Sequence, residues 1–121
     1  MIAGKFRLVL AASTLIAGSA FAQGALVEVD DNVQVPPFAA VADDVDDWDV
    51  YDATGTEIGE VEEVVGTGRD TPTALVVDFE GNGGYADRDV VIPLDRFGRE
   101  NGRLVLNADP AAVGGMPTWN D

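Results

Sequence analysis

Short β-branched segments, each bounded by turn residues, limit the folds open to this chain more than any other feature of its sequence. The first is the stretch 49–61, in which two apolar-alternating runs flank the tetrapeptide Asp52-Ala-Thr-Gly55. The side chain of Asp52 can accept a hydrogen bond from the backbone two residues on, and Gly55 tolerates a positive φ. The stretch therefore predicts a β-hairpin. The later segments of the same kind predict that this hairpin opens a small sheet that closes on itself.

The second strand of this hairpin has an irregular apolar pattern. Ile58, Val61 and Val64 recur at three-residue spacing, which strict strand alternation does not predict and an amphipathic helix could produce. Gly59 and the β-branched valines disfavour a short helix, whereas a β-bulge near Gly59 would shift the register by one residue. We therefore predict a bulged strand.

The later apolar segments alternate more regularly. Leu75, Val77 and Phe79 are predicted to face the core, with Val76 on the opposite face. The other residues predicted to face inward are Val90, Ile92, Leu94, Phe97, Leu104 and Leu106. Asp-Pro at 109–110 predicts a helical turn with a side-chain N-cap. The predicted fold is all-β: a small closed or partly open antiparallel β-barrel of five to six strands with a short C-terminal helical turn.

These segments resemble the PRC-barrel domain, a small β-barrel also found in the photosynthetic reaction-centre H subunit and in a ribosome maturation factor. The resemblance covers residues 45 to 119 and lies in hydrophobic patterns and turns. The segments that carry it are Val50-Tyr-Asp52 with its turn, Ile58 to Val64, Ala74-Leu-Val-Val-Asp78, Asp89-Val-Val-Ile-Pro-Leu-Asp95, Gly102 to Asn107 and Ala112 to Trp119. It implies a PRC-barrel-like fold and a non-catalytic binding or assembly module, since these domains typically contact other macromolecules.

The first 22 residues have the pattern of a secretory signal peptide. Lys5 and Arg7 form a positive n-region, residues 8–17 form an apolar h-region, and Ala20-Phe-Ala22 is a cleavage site. The apolar run is shorter than the roughly 20 residues that a membrane-spanning helix needs. We expect cleavage after Ala22 and export, to the periplasm first of all, with the extracellular space as the alternative, and no membrane insertion afterwards.

The segment that follows cleavage is the least regular part of the chain. Val27-Glu-Val29 and Val33-Gln-Val35 alternate around an acidic turn, but an isolated two-stranded hairpin is marginal in water, and Pro36-Pro37 interrupts it. We predict three units: a signal peptide at 1–22, an extended, mobile acidic arm at 23–44, and a PRC-barrel-like domain at 45–121. The alternative is that one strand of the arm adds to an edge of the barrel.

The chain is strongly acidic, with 22 Asp and Glu against 7 Lys and Arg. Signal cleavage would remove Lys5 and Arg7 and no acidic residue, so the net charge would change from −15 to −17. Such a surface repels nucleic acid and favours solubility, divalent cations or basic partners. We therefore predict a protein partner, no nucleic-acid partner, and weak divalent cation binding as an additional capability.

The residue inventory argues against catalysis. Residues 23–121 contain no His, Cys, Lys or Ser, which removes the common nucleophiles, the usual general base and the Schiff-base amine. A carboxylate pair could serve glycoside hydrolysis, but that reaction needs a cleft, which a small packed barrel does not leave. We predict that the protein is not an enzyme and has no catalytic residues.

Without His or Cys, the ligands that remain suit only hard, oxygen-preferring cations. The acidic run 43–49 lacks the central Gly and final Glu of an EF-hand loop, and the glycine-rich run 81–87 occurs only once. No glycine cluster carries the Lys-Ser/Thr of a phosphate-binding loop. We predict no cofactor and no specific metal site. An acidic calcium- or cation-binding protein is the alternative function.

Contact with a partner is expected through a surface and not through a pocket, because a small closed barrel uses most of its large side chains to fill its interior. The candidate contact residues are exposed aromatic and Arg side chains, since these types are enriched in interface cores. They are Tyr85 on the glycine-rich loop, Trp119 near the terminus, and Arg88 and Arg96 beside them. The alternative roles are structural: Trp119 as a plug at one barrel end, and the Arg residues as local charge compensation.

Overall fold

The computed structural model describes residues 26–120 of the 121-residue chain, so the predicted signal peptide and its cleavage site lie outside the described residues. The elements, in chain order, are β1 (Val27–Glu28), β2 (Gln34–Val35), a 3-10 turn (Pro36–Phe38), β3 (Ala40–Val41), α1 (Ala42–Val45), β4 (Asp49–Tyr51), β5 (Glu57–Gly68), β6 (Thr71–Phe79), β7 (Asp89–Pro93), a second 3-10 turn (Leu94–Arg96), β8 (Phe97–Glu100), β9 (Arg103–Leu106) and α2 (Pro110–Gly114). In this part of the chain, no helix has the length and apolar character needed to cross a bilayer.

The predicted hairpin is confirmed as β4 and β5. One carboxylate oxygen of Asp52 accepts hydrogen bonds from the backbone N–H groups of Thr54 at 2.9 Å and Thr56 at 3.0 Å, and from the Thr54 hydroxyl at 2.7 Å. Gly55 has a φ of 92°, as the turn requires. These bonds lower the pKa of Asp52, with the Thr54 hydroxyl as the largest cause.

The strands form one seven-stranded sheet and a separate two-stranded pair. The order in the larger sheet is β7-β6-β5-β4-β9-β8, with β1 also paired to β5, while β2 pairs with β3. The mainly β character is confirmed. The prediction of five to six antiparallel strands is wrong, because β4 and β9 run parallel, with Val50 opposite Leu104, and the described strands do not close into a barrel.

Bulges account for the three-residue spacing in β5. The register against β4 shifts at Ile58, since Val50 lies opposite Gly59 and Tyr51 opposite Glu57. A second shift against β6 leaves Glu62 as the extra residue. The two bulges bend β5 and turn Ile58, Val61 and Val64 into the same core, so the bulged strand predicted near Gly59 is confirmed.

The main core lies on one face of the sheet. Most residues predicted to face inward are buried there: Leu75, Val77, Phe79, Val90, Ile92, Phe97, Leu104 and Leu106. Leu94 is only partly buried and packs against this core from the second 3-10 turn.

A second, smaller apolar cluster lies on the other face of the sheet. This outer-face cluster consists of Val65, Ala74, Val76 and Val91, with Leu26 and Trp119 packed against it. Val76 lies on the opposite face from the predicted core set, as expected, but it has no solvent exposure, so that face of β6 is buried as well. The sheet is covered on both faces where β5, β6 and β7 lie side by side.

The described residues before position 45, from residue 26 onwards, pack against the sheet. β1 pairs with β5, which corresponds to the alternative in which the arm adds a strand. The marginal hairpin considered for 27–35 is replaced by a different pairing, since β2 pairs with β3. Val35 and Phe38 are buried, and the Phe38 ring meets Phe97 edge-on with centroids 6.2 Å apart. The division of the chain near residue 45 stays a prediction, although core packing crosses it.

The C-terminal helical turn is confirmed as α2. The Asp109 carboxylate accepts a hydrogen bond from the Ala112 N–H at 2.8 Å, and Pro110 occupies the first helical position. Beyond α2, the backbone of residues 117–119 runs antiparallel beside β7, with Val90 opposite Thr118. The outer edge of β7 is therefore paired within the chain, as sheet edges commonly need to be.

Candidate functional site

An apolar groove of about 540 Å³ lies next to the outer-face cluster. We call it the outer-face groove, and the residues that line it are Leu26, Thr67, Thr73, Ala74, Val91, Pro93, Arg96, Gly115, Met116 and Pro117. Its volume falls within the range of roughly 300–1,000 Å³ that is typical of small-molecule sites. The groove was not foreseen, because the expectation that little cavity remains concerned the interior of a barrel, whereas the groove lies beside the outer-face cluster.

Hydrogen bonds to β7 hold the C-terminal wall of the groove in place. The Val91 N–H donates to the Pro117 carbonyl at 2.9 Å, and the Trp119 N–H donates to the Asp89 carbonyl at 3.0 Å. The opposite wall comes from β6 and β7, whose side chains at Ala74 and Val91 also belong to the outer-face cluster. The groove therefore rests on the same packing that covers this face of the sheet.

Arg96 is the only charged side chain among the ten residues that line the groove. Its Nε lies 4.0 Å from a carboxylate oxygen of Asp95, and the two side chains are 48% and 86% exposed. An ion pair so long and so hydrated contributes little energy. The guanidinium thus places a weakly compensated positive charge at the groove, with planar donors suited to a carboxylate. Of the four predicted contact residues, Arg96 alone lines this groove.

Trp119, the second predicted contact residue, packs against the outer-face cluster and is partly buried. Its indole N–H is enclosed and has no hydrogen-bond partner among the described residues. The structure thus places Trp119 beside the groove, on the same face as Arg96. It covers the outer face of the sheet and does not plug one end of a barrel.

Tyr85 was expected to be exposed on the glycine-rich loop, and this is wrong. Its side chain is 5% exposed and its ring stacks on Phe79, with centroids 5.0 Å apart and planes 7° from parallel. Burial is the largest cause of the raised pKa of its hydroxyl, followed by the charges of Asp52 and Asp109. Tyr85 therefore belongs to a loop but places its side chain in the core, so its ring is not exposed for contact with a partner.

Arg88 has a structural position as well. Its guanidinium donates to the carbonyls of Val113 at 3.3 Å and Gly114 at 3.2 Å, at the C-terminal end of α2. Cationic donors satisfy the free carbonyls there and interact favourably with the helix dipole. Arg88 therefore holds α2, and the groove wall that begins at Gly115, against the sheet. The structure brings Arg96 and Trp119 together on one face and assigns Tyr85 and Arg88 to packing.

A group of three carboxylates, which we call the acidic cluster, lies away from the groove. Oxygen atoms of Asp31, Asp43 and Asp46 all lie within 4.8 Å of one another. One oxygen of Asp46 is enclosed without a hydrogen-bond partner in the described part of the chain. Burial, followed by the charge of Asp47 and then that of its cluster neighbours, raises the pKa of Asp46 to about 6. Like charges are crowded here without a described cation to compensate them.

Only some of the carboxylates of the acidic run 43–49 lie close together in the structure. Asp43 and Asp46 join the acidic cluster through α1, whereas Asp49 lies on β4. Asp78 belongs to two further sets of three neighbouring carboxylates. One set includes Glu60 and Glu80, and the other includes Glu62 and Asp89. Burial and the charge of Asp89 raise the pKa of Asp78. Such oxygen-only groups suit hard cations, and exposed acidic groups are also common without one.

The sequence contained a signal for the second buried face that was not used. The runs Leu75-Val-Val77 and Val90-Val-Ile92 are apolar on both alternating positions, which is typical of a strand covered on both faces. The groove itself had no such signal, because its walls come from segments near residues 26, 67–74, 91–96 and 115–117. Their meeting depends on the tertiary fold.

Comparison with known proteins gives one family. A family model described as the PRC-barrel domain matches residues 41–113, which is more than half of the chain. A search of curated proteins found no match.

Proposed function

Because the chain belongs to the PRC-barrel domain family, we propose that it is an exported, non-catalytic binding or assembly module that acts through contacts on its protein surface. Membership in this family of non-catalytic domains supports a binding or assembly role at the family level. The finer statements, which are export and a protein partner, come from the signal-like residues 1–22 and from the surface charge.

The observation that supports a protein partner is the uncompensated acidity of the surface. The whole chain carries a net charge of −15, and the acidic cluster holds three carboxylates within 4.8 Å of one another. Burial first, and then the charges of its acidic neighbours, raise the pKa of Asp46 to about 6. A partner that presents Lys or Arg would relieve the repulsion, and complementary charge of this kind favours fast and selective association. The partner surface is therefore predicted to be basic.

Affinity capture from a periplasmic extract tests the proposal. The bait is the chain from Gln23 to Asp121, compared with the double variant Asp31→Asn/Asp43→Asn and with Glu100→Gln, an exposed control on β8. A basic protein should be retained at low salt by the bait and by the control, and about fivefold less by the double variant. Equal retention by all three, measured again with the purified partner, would contradict a contact at the acidic cluster.

Calcium binding is the second candidate function. The observation behind it is that the described residues contain three sets of three carboxylates whose oxygen atoms lie within 4.8 Å of one another, as the ligands of a hard cation could. Calorimetric titration of the partner-free protein with CaCl₂ distinguishes calcium binding from the protein-partner proposal. A saturable heat that the Asp31→Asn/Asp43→Asn variant loses would support a cation-responsive protein. Heat that merely scales with ionic strength, and that NaCl reproduces, would leave the protein-partner proposal in place.

A further inference from the structure

The outer-face groove is too small to serve as a complete protein interface. Ten residues line it, whereas typical stable interfaces use about 20–30 residues on each side. Its volume of about 540 Å³ matches that of sites for small molecules. The groove is also independent of the acidic cluster, with which it shares no residue.

The chemistry of the lining defines the class of molecule that fits. Leu26, Val91, Met116 and Pro117 offer apolar surface, and burying an alkyl chain against such a surface is favourable because it removes apolar area from water. Arg96 adds one positive charge, and Thr67 and Thr73 add hydroxyl groups. A ligand that matches this lining has an apolar body and a single anionic group.

The charge at Arg96 is available because its described ion pair is weak. Asp95 approaches the guanidinium only to 4.0 Å and remains 86% exposed, so water already solvates that carboxylate. A carboxylate held by the groove could form two parallel hydrogen bonds to the guanidinium, a geometry for which Arg is suited. The repulsion of an anion by the rest of the acidic surface is largely screened beyond about 8 Å at physiological salt.

We propose that the outer-face groove binds a free amphiphile with one alkyl chain and one carboxylate head group, with the chain against Leu26, Val91 and Met116 and the head group at Arg96. The occupant is a monomeric small molecule, and the argument for it is the single cation in an otherwise uncharged lining. Trp119 packs beside Val91 in the neighbouring cluster, so it reports on occupancy of the groove.

The test uses the chain 23–121 with Trp48→Phe, which leaves Trp119 as its only indole. Decanoate and decan-1-ol are titrated separately, below their aggregation limits and at about 0.15 M salt, while Trp119 fluorescence is followed. A saturable change is expected, with decanoate bound about fivefold or more tightly than the alcohol. A change that never saturates, or equal affinity for the two ligands, would overturn the proposal.

Two variants and a control locate the site. Arg96→Gln should abolish the preference for decanoate over the alcohol, whereas Arg103→Gln should preserve it, because Arg103 lies over the Tyr51 ring at 4.5 Å and does not line the groove. Thr73→Phe fills the groove from an exposed strand position and should abolish binding of both ligands. Circular dichroism and thermal unfolding confirm that each variant is folded. Decanoate binding that survives Thr73→Phe in a folded protein would also overturn the proposal.

Discussion

The hydroxyl of Tyr85 donates a 2.6 Å hydrogen bond to the carbonyl oxygen of Ala108, across 23 residues of chain. This bond joins the glycine-rich loop to the segment between β9 and α2. It also explains how a loop residue becomes part of the core, since the hydroxyl finds a partner while the ring stacks on Phe79.

Removing this hydroxyl should therefore reduce stability without changing the fold. Tyr85→Phe should lower the free energy of unfolding by about 1 kcal/mol, because it leaves the Ala108 carbonyl without its donor. Tyr85→Ala should lower it by about 3 kcal/mol or more, because the stacked ring is also lost. Urea unfolding measures both values. Wild-type stability in Tyr85→Ala would mean that the loop does not pack as described.

A charged side chain placed on either face of β6 should strongly reduce the free energy of unfolding. Val77→Asp and Val76→Asp each bury an unpaired carboxylate at a side chain with no solvent exposure, so each should cost about 4 kcal/mol or more. Thr73→Asp, at an exposed position on the same strand, is the matched control and should change stability by less than about 0.5 kcal/mol. A mild effect of Val76→Asp would mean that the outer face of β6 is not covered as described.

The close approach of the Gly66 backbone to the backbone of Thr71 predicts that a side chain at position 66 destabilises the protein. A Cβ atom on Gly66 would overlap the Thr71 carbonyl in the neighbouring strand, so Gly66→Ala should cost about 1–3 kcal/mol or more. On the same strand, a Cβ on Gly68 would meet its nearest atoms at 3.5 Å, an ordinary contact, so Gly68→Ala should be tolerated. Chemical denaturation of the two variants provides the comparison, and equal midpoints would contradict the close pairing of β5 and β6.

The acidic cluster predicts the sign of a pH dependence. The folded-state pKa of Asp46 is raised from 3.8 to about 6, so between these values the folded protein binds more protons than the unfolded chain. This group therefore favours the folded state as the pH falls from 6 towards 4, and it opposes folding above 6.

Asp46→Asn should accordingly raise the melting temperature at pH 7.5 and have less effect at pH 4.5. Asp44→Asn, at an exposed position on α1 outside the acidic cluster, is the control. Thermal unfolding of both variants at the two pH values is the measurement. A lower melting temperature for Asp46→Asn at pH 7.5 would show that the carboxylate is compensated.

Local structure was predictable from this sequence wherever it depends on residues that are neighbours in the chain. Asp52 and Gly55 specify the hairpin turn, and Asp109 with Pro110 specifies the start of α2, because both depend on bonds that span only a few residues. The inward set on β6 followed from alternation for the same reason. Gly59 and the valines of β5 correctly favoured a bulged strand over a helix.

Features that depend on distant residues were not predictable. Alternation marks which face a residue occupies but does not show whether that face is covered, so the placement of Val76 opposite the core set did not reveal the cluster that Leu26 and Trp119 pack against. Loop composition suggested an exposed Tyr85, because the Phe79 ring and the Ala108 carbonyl that receive it lie elsewhere in the sequence. Arg96 was predicted as a contact residue from its residue type, but the groove that it lines is visible only in the fold.

The parallel pairing of β4 with β9 has a consequence for how the protein folds. Val50 and Leu104 are neighbours in the sheet but lie more than fifty residues apart in the chain, so joining them closes a long loop at an entropic cost. The β4–β5 and β5–β6 hairpins join residues that are close in the chain, so they can form first. We expect the parallel pairing of β4 with β9 to form after them. The rate of folding should therefore be governed by this late closure and not by the hairpins, as is usual when non-local strand contacts dominate a topology.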